Sequence, residues 1–190
     1  MSPLHGPLGT AGTVTALPFA ADDDGHDRMS QMTRITTLAH VAIKAADLAT
    51  TVTFYEAVLG LRQVPRPPFG FPGAWLGTDD GAALIHLYGG ERARSTDGDV
   101  AMGTGAIDHV SLWARGYAAQ RERLVGFGLP FRESRVPDST LAQMFVFDPN
   151  GVLLELTYDR RDEPDFSPGS AASALRFDPA RYAQFSPAAR

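Results

Sequence analysis

A chain of 190 residues, 44% apolar and 21% charged, has room for one ordinary domain or two small modules sharing a core, and this composition excludes fibrous folds and wholesale disorder. Seventeen basic against twenty-two acidic residues give a net charge of -5 without a Lys or Arg cluster, which argues against nucleic acid as a partner. No run approaches the roughly 20 apolar residues of a membrane span, no signal-like start is present, and cysteine is absent, so a soluble cytoplasmic protein is expected whose only metal-binding side chains are His, Asp and Glu.

Residues 1–33 are rich in Gly, Ala, Thr and Asp and lack periodicity, so they read as a disordered leader, with Met29 or Met32 as an alternative start. His5 and His26 fall within it and are not expected to bind a metal. A β-rich run at Leu38–Ile43 follows. Asp47 then caps a helix with Leu48, Val52, Tyr55 and Leu59 at helical spacing, and Gly60 ends it. Leu61–Val64, Ala74–Gly77 and Ala82–Tyr88 read as strands, the first two separated by the Pro-rich loop at 65–72.

The same order returns in the second half. Ile107–Trp113 is a strand, Tyr117–Val125 a helix stopped by Gly126 and Gly128, and Phe131–Val136, Gln143–Phe147 and Val152–Tyr158 are strands. The turn Asp148-Pro149-Asn150-Gly151 joins the last two. The expected organisation is therefore a leader at 1–33, a βαβββ module with connector at 34–100, a second βαβββ module at 101–159, and an extended arm at 160–190 whose aromatics pack along a surface. The fold class is α+β.

The repeat can be checked by register. The position numbers of His40 and His109 differ by 69, and those of His86 and Glu155 differ by the same 69. The offset also aligns Val41 with Val110, Ile43 with Leu112, Asp79 with Asp148 and Leu84 with Leu153. In each half one chemistry-bearing residue stands in the first strand and another, at a matching separation, in the last strand. Strand alternation puts His86 on the face of Leu84 and Tyr88, and Glu155 on the face of Leu153 and Thr157. A carboxylate set in the apolar run Val-Leu-Leu-Glu-Leu is costly to bury alone, whereas a divalent cation keeps it charged. A single His in a strand is more often a hydrogen-bonded core residue, but four such residues at equivalent places point to one metal held by His40, His86, His109 and Glu155. Three imidazoles and a carboxylate suit zinc, nickel, cobalt, ferrous iron or manganese.

The segments LAHVAIKAADLATTVTFYEAVLGL, AALIHLY, IDHVSLW and FVFDPNGVLLEL resemble the vicinal oxygen chelate superfamily, which includes glyoxalase I, methylmalonyl-CoA epimerase, extradiol dioxygenases, and fosfomycin- and bleomycin-resistance proteins. The resemblance spans about Ile35 to Asp159. It implies two modules whose curled mixed sheets form a shared metal-binding cleft, with the ion chelating substrate oxygens and stabilising an enolate. It also implies that Glu155 moves a proton between carbons, although His86 stands where Glu or Gln is usual. Lyase or isomerase chemistry on a small-molecule substrate leads. A ring-cleaving dioxygenase is the alternative, and here Val136-Pro137-Asp138 and Phe145 stand where its acid-base His and Tyr are expected. Noncatalytic binding of a small molecule is the third possibility. A homodimer follows by the same resemblance. Phe69, Phe71, Trp75, Trp113 and Met144 are candidates for an apolar pocket, and Arg66, Arg62 or Arg135 for holding a substrate carboxylate.

Overall fold

The computed structural model describes residues 34–167 and 175–189. The expected leader, with Met29 and Met32, lies outside the described residues. The first module consists of β1 (Val41–Lys44), α1 (Leu48–Leu59), β2 (Arg62–Val64), β3 (Gly73–Gly77) and β4 (Ala83–Tyr88). The second consists of β5 (Val110–Trp113), α2 (Tyr117–Gly126), β6 (Phe131–Arg135), β7 (Leu141–Phe147) and β8 (Leu153–Asp159). Each module makes one four-stranded mixed sheet, in the order β1-β4-β3-β2 and β5-β8-β7-β6. The first strand runs parallel to the last, which the intervening helix makes possible, and the remaining pairs are antiparallel. β1 and β5 are therefore edge strands.

The local signals act as their chemistry dictates. Asp47 accepts from the backbone N–H of Thr50 at 3.0 Å and from its hydroxyl at 2.8 Å, so it caps α1. Gly60 ends the helix with φ of 71°, a conformation closed to most side chains. α2 starts instead on Gly116, and its cap comes from far along the chain: Glu163 accepts from the N–H groups of Gly116 (2.9 Å) and Tyr117 (2.8 Å).

One core serves both modules. Ile43, Leu76, Ile85 and Leu87 of the first sheet and Met144, Val146, Leu154 and Leu156 of the second turn inward with Phe54, Val58 and Leu124 of the helices. Each large apolar side chain buried in this way contributes about 1.5–3 kcal/mol. The turn before β8 ties the modules together. Asp148 accepts from the backbone of Asn150 and Val152 at 2.8 Å each and from the Tyr55 hydroxyl at 3.2 Å, while Asn150 Oδ1 accepts from Ala46 N at 3.0 Å. Burial pushes the Asp148 carboxyl up to about 6, against the pull of these donors.

Beyond β8 the chain forms a 3₁₀ turn at Arg160–Asp162 and a longer one at Pro179–Phe185. The arm packs on its own chain: Tyr182 and Phe185 meet Phe54 edge-on at 5.7 and 5.5 Å, and the Tyr182 hydroxyl donates to Phe147 O at 2.6 Å. Among the described residues no helix is long and apolar enough to cross a membrane.

Candidate metal centre

Because alternate residues of each strand face the common core, the other face of each sheet is left open. On the first sheet that face carries His86, with Ala42 and Trp75 as its cross-strand partners. His40, just before β1, stacks on His86 with ring centroids 3.7 Å apart, and Trp75 stacks on the opposite side of His86 at 4.2 Å. Burial lowers the proton affinity of His86, and the neighbouring His40 and Arg66 charges lower it further. The ring is thus held neutral, the form that binds a metal.

On the second sheet Glu155 is buried on the open face, with Ser111 and Phe145 as cross-strand partners. Its Oε2 lies 2.9 Å from His109 Nε2, and His109 Nδ1 is 2.6 Å from Asp108 Oδ1. Its Oε1 accepts from the Ser111 hydroxyl at 2.9 Å and from Thr157 at 2.6 Å. Burial favours the protonated acid, but hydrogen bonds from Thr157, Ser111 and Gln143 and the His109 charge outweigh it and hold the carboxyl below its ordinary range.

The four expected ligands thus come together as two pairs. Among the described residues no three His, Asp or Glu side chains are grouped to hold one ion within the chain. The cause is the packing: both sheets turn their helix-bearing faces to one core, so the ligand-bearing faces look away from it. The sequence leaves open whether a centre lies within one chain or is shared by two, and within one chain the two pairs stand apart. The donor set itself fits a transition metal. Two ligand atoms bound about 2.1 Å from an ion and at right angles lie about 3 Å apart, which is the spacing of His109 Nε2 and Glu155 Oε2. The Asp108 contact leaves His109 Nε2 as the ligating nitrogen.

The expected pocket residues divide. Trp75, Phe69 and Phe71 lie together on the first open face, with Phe69 stacked on Phe71 at 5.7 Å and 6.1 Å from Trp75. Arg66 lies 4.8 and 4.9 Å from the Phe69 and Phe71 ring centres and donates to Phe71 O at 3.1 Å. Arg62 instead pairs with Asp79 at 2.7 Å in solvent, and Arg135 packs on Phe166. Trp113, 75% exposed, stands on the second open face. Met144 does not line a pocket: it is fully buried in the core, on the opposite face from Glu155.

That correction has a physical reason. An irregularity between Leu76 and Gly77 gives the first module an extra residue between the tryptophan and its histidine partner. Trp75 faces His86, whereas Phe145, one place beyond the repeat equivalent of Trp75, faces Glu155. A one-residue slip sends a side chain to the other face. The hydroxyls of Ser111 and Thr157 were not among the expected site residues, although each lies two residues from a candidate ligand and so shares its face.

The comparisons with known proteins agree with this architecture. Residues 37–156 match the family model described as the Glyoxalase/Bleomycin resistance protein/Dioxygenase superfamily. The chain is 26% identical over 126 residues to Glyoxylase I 4 of Arabidopsis thaliana, covering 64% of this chain and 70% of that one. A glyoxalase family protein of Bacillus anthracis superposes with a TM-score of 0.53 at 17% identity, covering 67% of this chain and 98% of the other. A glyoxylase/bleomycin resistance protein/dioxygenase domain from Frankia sp. EAN1pec gives 0.52 at 18%, covering 67% and 100%. Lactoylglutathione lyase from Agrobacterium tumefaciens gives 0.50 at 19%, covering 70% and 100%. With two matched βαβββ modules and a family model spanning both, the chain belongs to the Glyoxalase/Bleomycin resistance protein/Dioxygenase superfamily.

Proposed function

We propose that this protein is a metal-dependent lyase or isomerase of the glyoxalase type, acting on a small substrate with adjacent oxygens, and that two copies complete each centre. His40 and His86 come from one copy and His109 and Glu155 from the other. The observation that carries this reading is the division of the ligands into two half-sites, each on an open sheet face. The edges support it. Among the described residues β1 and β5 each lack a neighbour on one side, and the apolar residues leading into them, Leu38 and Ile107, are 77% and 62% exposed. An uncovered edge of this kind is a ready surface for a second chain. A two-fold pairing of β1 with the partner's β5 covers both edges and makes two equivalent centres.

Zinc, nickel, cobalt, ferrous iron or manganese suits the combined set, and the ion supplies Lewis acidity to substrate oxygens. The remaining chemistry belongs to the side chains. Glu155, held ionised below its ordinary range, is a ligand first and, once off the ion, accepts a proton from substrate carbon through Oε2 and returns it to the neighbouring carbon. Trp75, Phe69 and Phe71 wall off water, and Arg66 at that wall meets a substrate carboxylate. The relative Glyoxylase I 4 supports the lyase direction.

Elemental analysis with light scattering tests the metal and the assembly: one divalent ion per chain in a dimer is expected. Solvent-deuterium incorporation into small α-hydroxy ketones and thioesters tests the chemistry. Exchange lost on chelation and restored by nickel, zinc, cobalt or manganese supports the reading. Oxygen uptake with ferrous iron and a catechol would replace it with ring cleavage, and tight aromatic binding to a metal-free chain would replace it with a binding protein.

A further inference from the structure

A polar row crosses the open face of the second sheet, from Ser134 on β6 through Gln143 on β7 and Glu155 and Thr157 on β8 to Ser111 on β5. Ser134 Oγ donates to Gln143 Oε1 at 3.2 Å, and Gln143 is the cross-strand partner of Thr157, beside Glu155. At the other end the Ser111 and Thr157 hydroxyls are 3.0 Å apart, and both donate to the same oxygen, Glu155 Oε1. A carboxylate oxygen accepts about two strong bonds, so two hydroxyls fill Oε1 and leave Oε2 facing His109. The frame is stiff. Ser111 is the cross-strand partner of Glu155, and Thr157 is a β-branched residue two positions along the same strand.

We propose that Ser111 and Thr157 are positioning residues that fix Glu155 through Oε1 and so leave Oε2 as its single working oxygen. The role of that oxygen rests on the metal reading above; the positioning itself is a property of the chain. The first module shows what this adds. At the equivalent places of that module stand Ala42 and Tyr88, and His86 is held there by stacked rings rather than by hydroxyls. The two hydroxyls therefore accompany the carboxylate, and the repeat does not require them. A free carboxylate would present either oxygen to His109; this one presents Oε2.

The test is a Co2+ titration of the whole protein, followed by visible absorption, together with a crystal structure of the metal-free variant. Ser111→Ala with Thr157→Ala is expected to lose about 10–100-fold in Co2+ affinity while keeping its circular dichroism, and Ser111→Thr with Thr157→Ser is expected to recover it. Wild-type affinity in the double alanine variant would overturn the proposal. If that variant does not fold, Ser111→Ala alone, at an exposed position, gives the same reading. If the wild type takes up no Co2+, the metal reading fails by itself and the crystal structure decides the positioning. Glu155 turned away from His109 in the variant upholds the proposal, and Glu155 still 2.9 Å from it overturns the proposal.

Discussion

The open face of the first sheet is built of rings, and that of the second of hydroxyls and a carboxylate. His86 is clamped between His40 and Trp75 by stacking, with no charge of its own to stabilise. Glu155 carries a charge into a buried place and is surrounded by donors. One βαβββ plan therefore supports two kinds of ligand, because the strand register fixes where a ligand stands and its neighbours fix its charge state. Each face alone offers two ligands, fewer than a tetrahedral or octahedral ion requires.

Removing support from each module in turn separates the two designs. Glu155→Gln keeps the shape but loses the negative oxygen and the proton carrier, so turnover is expected to fall by about 10²–10⁴-fold with the fold intact, as checked by steady-state kinetics and circular dichroism.

The equivalent turns differ in the same way. Thr78 holds the place in the first turn that Asp148 holds in the second, and the neighbouring Asp79 is exposed and paired with Arg62, whereas Asp148 is fully buried and holds its turn to Tyr55 and α1. The Asp148 carboxyl titrates near 6 in the folded protein, against about 3.9 in an unfolded chain. The native state therefore binds the proton more tightly. That contribution to stability is complete below about pH 4 and is lost as pH rises through 6, on the order of 3 kcal/mol in all. Denaturant unfolding from pH 4 to 7 is expected to show this fall, Asp148→Asn to flatten it, and Asp79→Asn to leave it unchanged. Glu163→Gln, which weakens the remote cap of α2, is expected to cost about 0.5–2 kcal/mol by the same measurement. Trp75→Ala removes one of the two rings that clamp His86. A stacked pair of this kind is worth about 0.5–1.5 kcal/mol, so metal affinity is expected to fall only a few-fold in a titration. A loss of metal affinity from Trp75→Ala as large as the loss of metal affinity from Glu155→Gln, titrated alike, would mean that rings and charge support the two faces alike.

Much of the fold was legible because its signals are local. Asp47 and Gly60 bound α1, and the turn at Asp148 fixes the hairpin before β8. The offset of 69 and strand alternation put His86 and Glu155 on the open faces. Two things were not legible. Met144 reads as a pocket residue because the bulge at Leu76 and Gly77, which moves the facing role to Phe145, leaves no mark in the residue pattern. The separation of the ligands into pairs depends on how two sheets share one core, a long-range packing choice that periodicity does not encode. Ser111 and Thr157 were within reach of alternation, but a hydroxyl beside a ligand announces itself only once the carboxylate oxygen it binds is located.

Complementation between two variants decides whether each centre is shared by two chains. Chains carrying His86→Ala and chains carrying Glu155→Gln are each expected to bind metal poorly alone, because every centre in either homodimer lacks one ligand. In a mixed dimer, one centre collects both defects and the other receives His40 and His86 from the Glu155→Gln chain and His109 and Glu155 from the His86→Ala chain. The purified mixed dimer is expected to recover one tightly bound ion, measured by elemental analysis after dialysis. No recovery in a well-formed mixed dimer would contradict the shared centre.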